Sequence, residues 1–168
     1  MRKLTVSFCI TASVIASTAY LQPSHAAETP YEVMTTDTFE GVIVPKEAAL
    51  SFLVIELSSD EKDLMEYWTP SKEDVLNAEE KLEPYLTQLA PQQSPDLGKK
   101  LVQYGRQYVG MLYNGHKYLY MSFFCHTFEA DDWKSSPVIV EDGGDCFFRV
   151  WYDIASGTFS RLNINGEA

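Results

Sequence analysis

Arg106 to Cys125 reads RQYVGMLYNGHKYLYMSFFC. Two β-type runs, Arg106 to Tyr113 and Lys117 to Cys125, flank Asn114-Gly115. An Asn-Gly pair between such runs is the strongest short-range hairpin signal, because both residues accept the positive φ of a type I′ turn. Alternation sorts the second run into two faces. Tyr118, Tyr120 and Phe124 share one; Leu119, Met121, Phe123 and Cys125 share the other. Further on, Cys146 to Asp153 and Thr158 to Ile164 flank Ile154-Ala155-Ser156-Gly157, which predicts a second hairpin with a longer turn. Thr127 to Asp145, between the hairpins, carries Asp131-Asp132, Trp133, Pro137 and Gly143-Gly144. It reads mostly as loop, with Val138-Ile139-Val140 as a short strand start.

Upstream the period is helical. Val75, Ala78, Leu82, Tyr85, Leu86 and Leu89 recur at steps of three and four, with Lys72, Glu79, Glu80 and Glu83 off that stripe. Thr69-Pro70 reads as the N-cap and first helical residue. Glu73 and Asp74 suit the positive end of the helix dipole. Pro84 is expected to kink or shorten the helix, since it removes the bond to the Glu80 carbonyl. Ser94-Pro95 opens a short helix to about Tyr104, with Gly98 a weak point. Earlier still, Thr38 to Val44 reads as a strand ended by Pro45, Lys46 to Leu57 as a short helix, and about Asp60 to Trp68 as another. Of 22 aromatic residues, 14 lie in 104–168. Aromatics favour half-buried pleated surfaces, so helices come first and the sheet last. The expected fold is a single α+β domain. An antiparallel meander of four strands, or five, packs one face on the helix of residues 70–90.

The chain has 168 residues, 24 acidic and 13 basic, a net charge of −11. That balance excludes a nucleic-acid partner, because phosphates need clustered Lys and Arg. Met1-Arg2-Lys3 is a short basic start, and Leu4 to Leu21 carry no charge. Ser24 and Ala26 stand at the small-residue positions of a cleavage site. This is the layout of a secretory signal peptide over residues 1–26, cut after Ala26. The mature chain would carry −13, with 11 basic against 24 acidic side chains, and would have no membrane span. Residues 27–68 would form an extension with a short strand and helix, and 69–168 the α+β domain. Periplasmic or secreted localisation follows. Cys9 leaves with the signal, so Cys125 and Cys146 remain to form a disulfide in an oxidising compartment.

Candidate chemistry is sparse. His116 falls in the hairpin turn and reads as surface. Cys125-His126 does not suit a nucleophile pair, because strand neighbours point to opposite faces. Glu141-Asp142-Gly143-Gly144-Asp145 lacks the ligand spacing of a calcium loop. No zinc spacing, phosphate loop or nucleophile elbow is present in the sequence. Neither catalytic nor metal-binding residues are assigned, and no cofactor. The aromatic strands offer more. Tyr118, Tyr120, Phe147, Arg149 and Trp151 share the face turned away from the helix, and Tyr, Trp and Arg are what binding hot spots use. They form the candidate binding face. The helix-side face, Met121, Phe123, Phe148, Val150 and Leu162, offers no polar group to a pocket.

Four stretches carry a resemblance: Arg106-Gln107-Tyr108, Asn114-Gly115, Asp142 to Phe148, and Asn163 to Ala168. Together they resemble a group of small exported bacterial proteins, over about residues 68–168, and that likeness implies export without implying an activity. The element order is similar to cystatin-like and NTF2-like folds, an analogy that does not transfer function. The leading expectation is a non-enzymatic exported protein, an inhibitor or accessory module, that binds a protein partner. One alternative is an NTF2-like small-molecule-binding protein or enzyme with a pocket between helix and sheet. Another is an immunity-type protein whose acidity captures a basic partner.

Overall fold

Asn114 and Gly115 take φ values of 50° and 78°, and the strands they join pair over ten registers, from Tyr104↔Cys125 to Tyr113↔His116. This hairpin is the centre of the fold. A computed structural model describes residues 31–53, 57–58, 60–61, 64–89, 94, 96–128 and 132–166. The signal segment with its cut after Ala26 lies outside them, as do Pro95 and Asp131.

Among the described residues, seven strands form one sheet: β1 Glu32–Thr35, β2 Glu40–Ile43, β3 Glu66–Trp68, β4 Tyr104–Tyr113, β5 His116–Cys125, β6 Phe147–Asp153 and β7 Thr158–Ile164. Strands β4 to β7 make the expected antiparallel meander. The sheet is larger than the sequence suggested. The hairpin of β1 and β2 is added to the outer edge of β4, with β2 parallel to β4 over Glu40↔Gly105 to Ile43↔Tyr108. Strand β3 pairs antiparallel with the other half of that same edge, from Glu66↔Leu112 to Trp68↔Gly110. Where an extension was expected before residue 69, the chain contributes three strands to the common sheet. The helix expected at 60–68 ends instead in β3, and Val138-Ile139-Val140 forms no strand.

Trp68 explains why β3 sits where it does. Its indole Nε1 donates to the Met111 carbonyl at 3.1 Å, and its ring lies against Gly110, which has no side chain to hold it off. A Cβ at position 110 would collide with the Trp68 carbonyl oxygen, which is backbone and cannot swing away. Gly110→Ala should therefore cost roughly 1–3 kcal/mol in urea unfolding, as overpacking does. A wild-type midpoint would disprove the tight approach of β3.

The long helix is α2, Lys72–Leu89, which follows the one-turn helix α1, Ala49–Phe52. Ser71 caps α2, not Thr69. The Ser71 hydroxyl accepts the Asp74 N–H at 3.2 Å, and the Asp74 carboxylate accepts the Ser71 N–H at 2.9 Å, a reciprocal box that satisfies two orphan donors. Thr69 instead accepts the Lys46 N–H. Pro84 lies within the helix without ending it, since α2 runs on to Leu89. The stretch expected to be a helix after Ser94 is a 3-10 segment, Gly98–Gln103. Gly98 lets it approach Thr87 and the Glu83 carbonyl of α2.

Both faces of the sheet are buried. On one, Val75, Ala78, Leu82 and Leu86 of α2 pack on Tyr104, Tyr108, Leu119, Met121, Phe123, Phe148 and Val150. Each such aliphatic side chain contributes about 1.5–3 kcal/mol by leaving water. On the other, Tyr31, Val44, Ala49, Phe52, Leu53, Leu57 and Met65 cover Val109, Met111, Tyr120 and Trp151.

Candidate functional site

The expected binding face is mostly covered. Tyr120 and Trp151 are each 3% exposed and Phe147 is buried, while Tyr118 and Arg149 are half-buried. The cover comes from residues 31–53, from Leu57 and from the loop after residue 132. Trp133 packs on Phe124, and Gln107 fixes the loop by donating to the Trp133 and Ser136 carbonyls and accepting the Val138 N–H. Asn165 holds the loop's far end through the Val140 and Asp142 carbonyls and accepts from Arg149. The aromatic face is thus a second core layer, cemented by buried amides.

The helix-side face does hold polar groups, contrary to the sequence reading. Arg106 is 2% exposed. Its Nη1 donates to the Tyr104 carbonyl at 2.7 Å and its Nη2 to the Leu101 carbonyl at 2.9 Å. Its Nε lies 3.1 Å from Glu79 Oε1, near enough for charge pairing but off the line of a hydrogen bond. The same oxygen accepts the Tyr108 hydroxyl at 2.7 Å. Phe39 and Phe123 lie against the guanidinium, 4.7 and 5.5 Å from its carbon to the ring centroids. Burial pushes the Glu79 carboxyl above the ordinary carboxylate value, against the pull of Arg106 and Tyr108. Burial and the Glu79 charge push the Tyr108 hydroxyl well above its own.

Over this cluster lies a groove between α2, the β1–β2 turn and the 3-10 segment. It encloses about 360 Å³ and is lined by Thr36, Thr38, Phe39, Leu76, Glu79, Glu80, Glu83, Leu101, Val102 and Arg106. It continues along α2 past Pro84, Thr87 and Gln88. Leu76 is 47% and Val102 62% exposed, so the groove has an apolar mouth and a carboxylate wall. Both partners of Glu79, the donating Tyr108 hydroxyl and the Arg106 cation, sit at one carboxylate oxygen.

A second polar cluster stands beside the disulfide. Asp145 accepts from Ser94 at 2.9 Å and Lys100 at 3.1 Å, and its carbonyl takes the Tyr104 hydroxyl. The hydrogen bond from Lys100 leads in holding the Asp145 carboxyl below its usual value, with Ser94 adding to it. Burial, with Asp145 nearby, pushes Tyr104 up to about 12. A carboxylate with a depressed folded pKa stabilises above its unfolded value of 3.8 and loses that stabilisation as pH falls through the depressed one. Asp145→Asn should therefore flatten the fall in melting temperature below about pH 4. An unchanged acid limb would show that this carboxylate contributes nothing. The effect is expected to be small, because Asp145 is partly solvated.

The remaining sequence candidates do not converge. His116 is exposed, its Nδ1 3.7 Å from Asp153. Cys125 is bonded to Cys146 and is no nucleophile. Glu141 and Asp142 are exposed. The sequence reading missed Arg106, Glu79 and Tyr108. One signal pointed to them: Arg106 occupies the alternate position between Tyr104 and Tyr108, on the face a helix must cover. Among the described residues, no helix is long and apolar enough to cross a membrane. Comparison with protein-family models, curated proteins and solved structures returned no match.

Proposed function

We propose that the protein is an exported, non-enzymatic binding module that takes its partner in the groove along α2. One observation carries this reading: Leu76 and Val102 are exposed apolar side chains at the mouth of a groove whose other wall is carboxylate. Export rests on the leader-like residues 1–26 and is supported by the disulfide. The cystatin-like assignment belongs to the same proposal, supported by one long helix packed on an antiparallel meander. The test is capture from an exported fraction with wild type and with Leu76→Arg/Val102→Arg. A protein recovered by the wild type and lost with the folded variant is expected. Recovery of the same proteins by both would place binding elsewhere.

The buried Glu79 favours a second reading, a small-molecule site of the NTF2-like kind. Under it, a small amine such as ethanolamine should raise the melting temperature of wild type and not of Glu79→Gln. Equal responses would remove that reading.

A further inference from the structure

Resting on the groove reading above, we infer that the occupant is an extended basic segment of a partner protein, anchored by an apolar side chain. Leu76, Glu79, Glu80, Glu83 and Thr87 follow one another at helical spacing and form a single stripe along α2. From Leu76 to Thr87 the helix rises about 17 Å at 1.5 Å per residue. An extended chain covers that length with about five residues. The stripe begins at an apolar mouth, where Leu76 and Val102 stand exposed, and proceeds to carboxylates.

The charges favour a cation. Among the described residues, Glu80 and Glu83 pair with no basic side chain, and Lys81 between them turns away to the Tyr152 hydroxyl at 3.0 Å. Arg106 does not repel an incoming cation, because Glu79 neutralises it beneath the groove. Glu80 and Glu83 lie about one helical turn apart, roughly 5 Å along the axis. Alternate side chains of an extended segment are spaced about 6–7 Å apart on one face. Two basic residues separated by one residue therefore meet the two carboxylates, while a preceding apolar side chain meets Leu76 and Val102. The net charge of −11 draws such a segment in.

The probe is a fluorescent synthetic hexapeptide with one leucine followed by lysines at alternate positions, titrated against the purified chain. Saturable binding is expected, weakened at least about tenfold by Glu80→Lys/Glu83→Lys and by raising salt from about 50 to about 500 mM. Replacing the peptide's leucine by serine should weaken it by a similar factor. Both glutamates are exposed, so the variant should fold; if it does not, Glu80→Gln/Glu83→Gln gives the same test in weaker form. No saturation by about 1 mM, or equal binding of a peptide with glutamates for lysines, overturns the inference. Spermidine binding as tightly as the peptide, with the leucine immaterial, overturns it in favour of a polyamine site. A partner captured through Leu76 and Val102 but insensitive to Glu80→Lys/Glu83→Lys would overturn this inference while leaving the groove reading intact.

Discussion

Replacing Arg106 by leucine should cost about 3–5 kcal/mol of folding stability, the largest effect expected of any single side chain in this protein. The reason is the charge left behind. Glu79 has a side chain 9% exposed, and Arg106 is the cation that faces it. With leucine at 106, the carboxylate keeps only the Tyr108 hydroxyl, and the Tyr104 and Leu101 carbonyls lose their guanidinium donors. An uncompensated buried charge is far more costly than a missing pair. Glu79→Leu/Arg106→Leu should therefore recover much of the loss, and a double-mutant cycle should give a coupling of about 1–3 kcal/mol. Urea unfolding of the four proteins decides it. A single variant within 1 kcal/mol of wild type would mean that the guanidinium is not the partner of that carboxylate. The same cycle separates structure from binding, because the groove's exposed members, Leu76, Val102, Glu80 and Glu83, take no part in it.

The pair shows what the sequence could and could not convey. Local signals were sufficient for both hairpins. Asn114-Gly115 names its own turn, and period-two alternation over seven to ten residues names the strands beside it. Helix α2 was equally plain, because its stripe is long and its first turn acidic. Thr38 to Val44 contains β2, but β1 and β3 have four and three residues, too few for alternation to register. The partner of β2 and β3, β4, lies far along the chain, and β2 joins it in parallel, so no turn announces that pairing. The same long-range pairing hides the cover of the aromatic face. Tyr120 and Trp151 are covered by Ala49, Phe52, Leu53 and Leu57, whose helical spacing is legible but whose docking on this face of the sheet is not. The groove stayed hidden for a like reason. Glu79, Glu80 and Glu83 read as a solvated helix face, and only the fold brings the β1–β2 turn and Val102 up beside them.

The disulfide was legible by elimination, and its effect should be large. Phe124 pairs with Phe147 in the β5–β6 register, which sets Cys125 opposite Cys146 one step further on, with Cα atoms 5.0 Å apart. The bond closes residues 126–145, the loop that the buried amides of Gln107 and Asn165 hold over the second core layer. Those amide contacts are worth little unless the loop's two ends are held, so the cross-link and the Gln107 and Asn165 hydrogen bonds reinforce one another. For a sequence separation of 21, chain entropy gives about 3 kcal/mol of stabilisation, through the unfolded state. At roughly 2–4 °C per kcal/mol for a chain near this size, Cys146→Ser should lower the melting temperature by about 10 °C. Cys125→Ser should match it. The double variant should fall no further than either single one, because one bond is lost in every case. Reducing agent should lower wild type to the same level and leave the variants unmoved. Groove binding should persist in each folded variant, since Leu76, Glu80, Glu83 and Val102 lie on elements the bond does not touch. Melting curves with and without reductant, beside alkylation of the denatured chain, measure all of this. Free thiols at both positions in the oxidised protein would refute the bond, and a wild-type melting temperature in Cys146→Ser would refute its role.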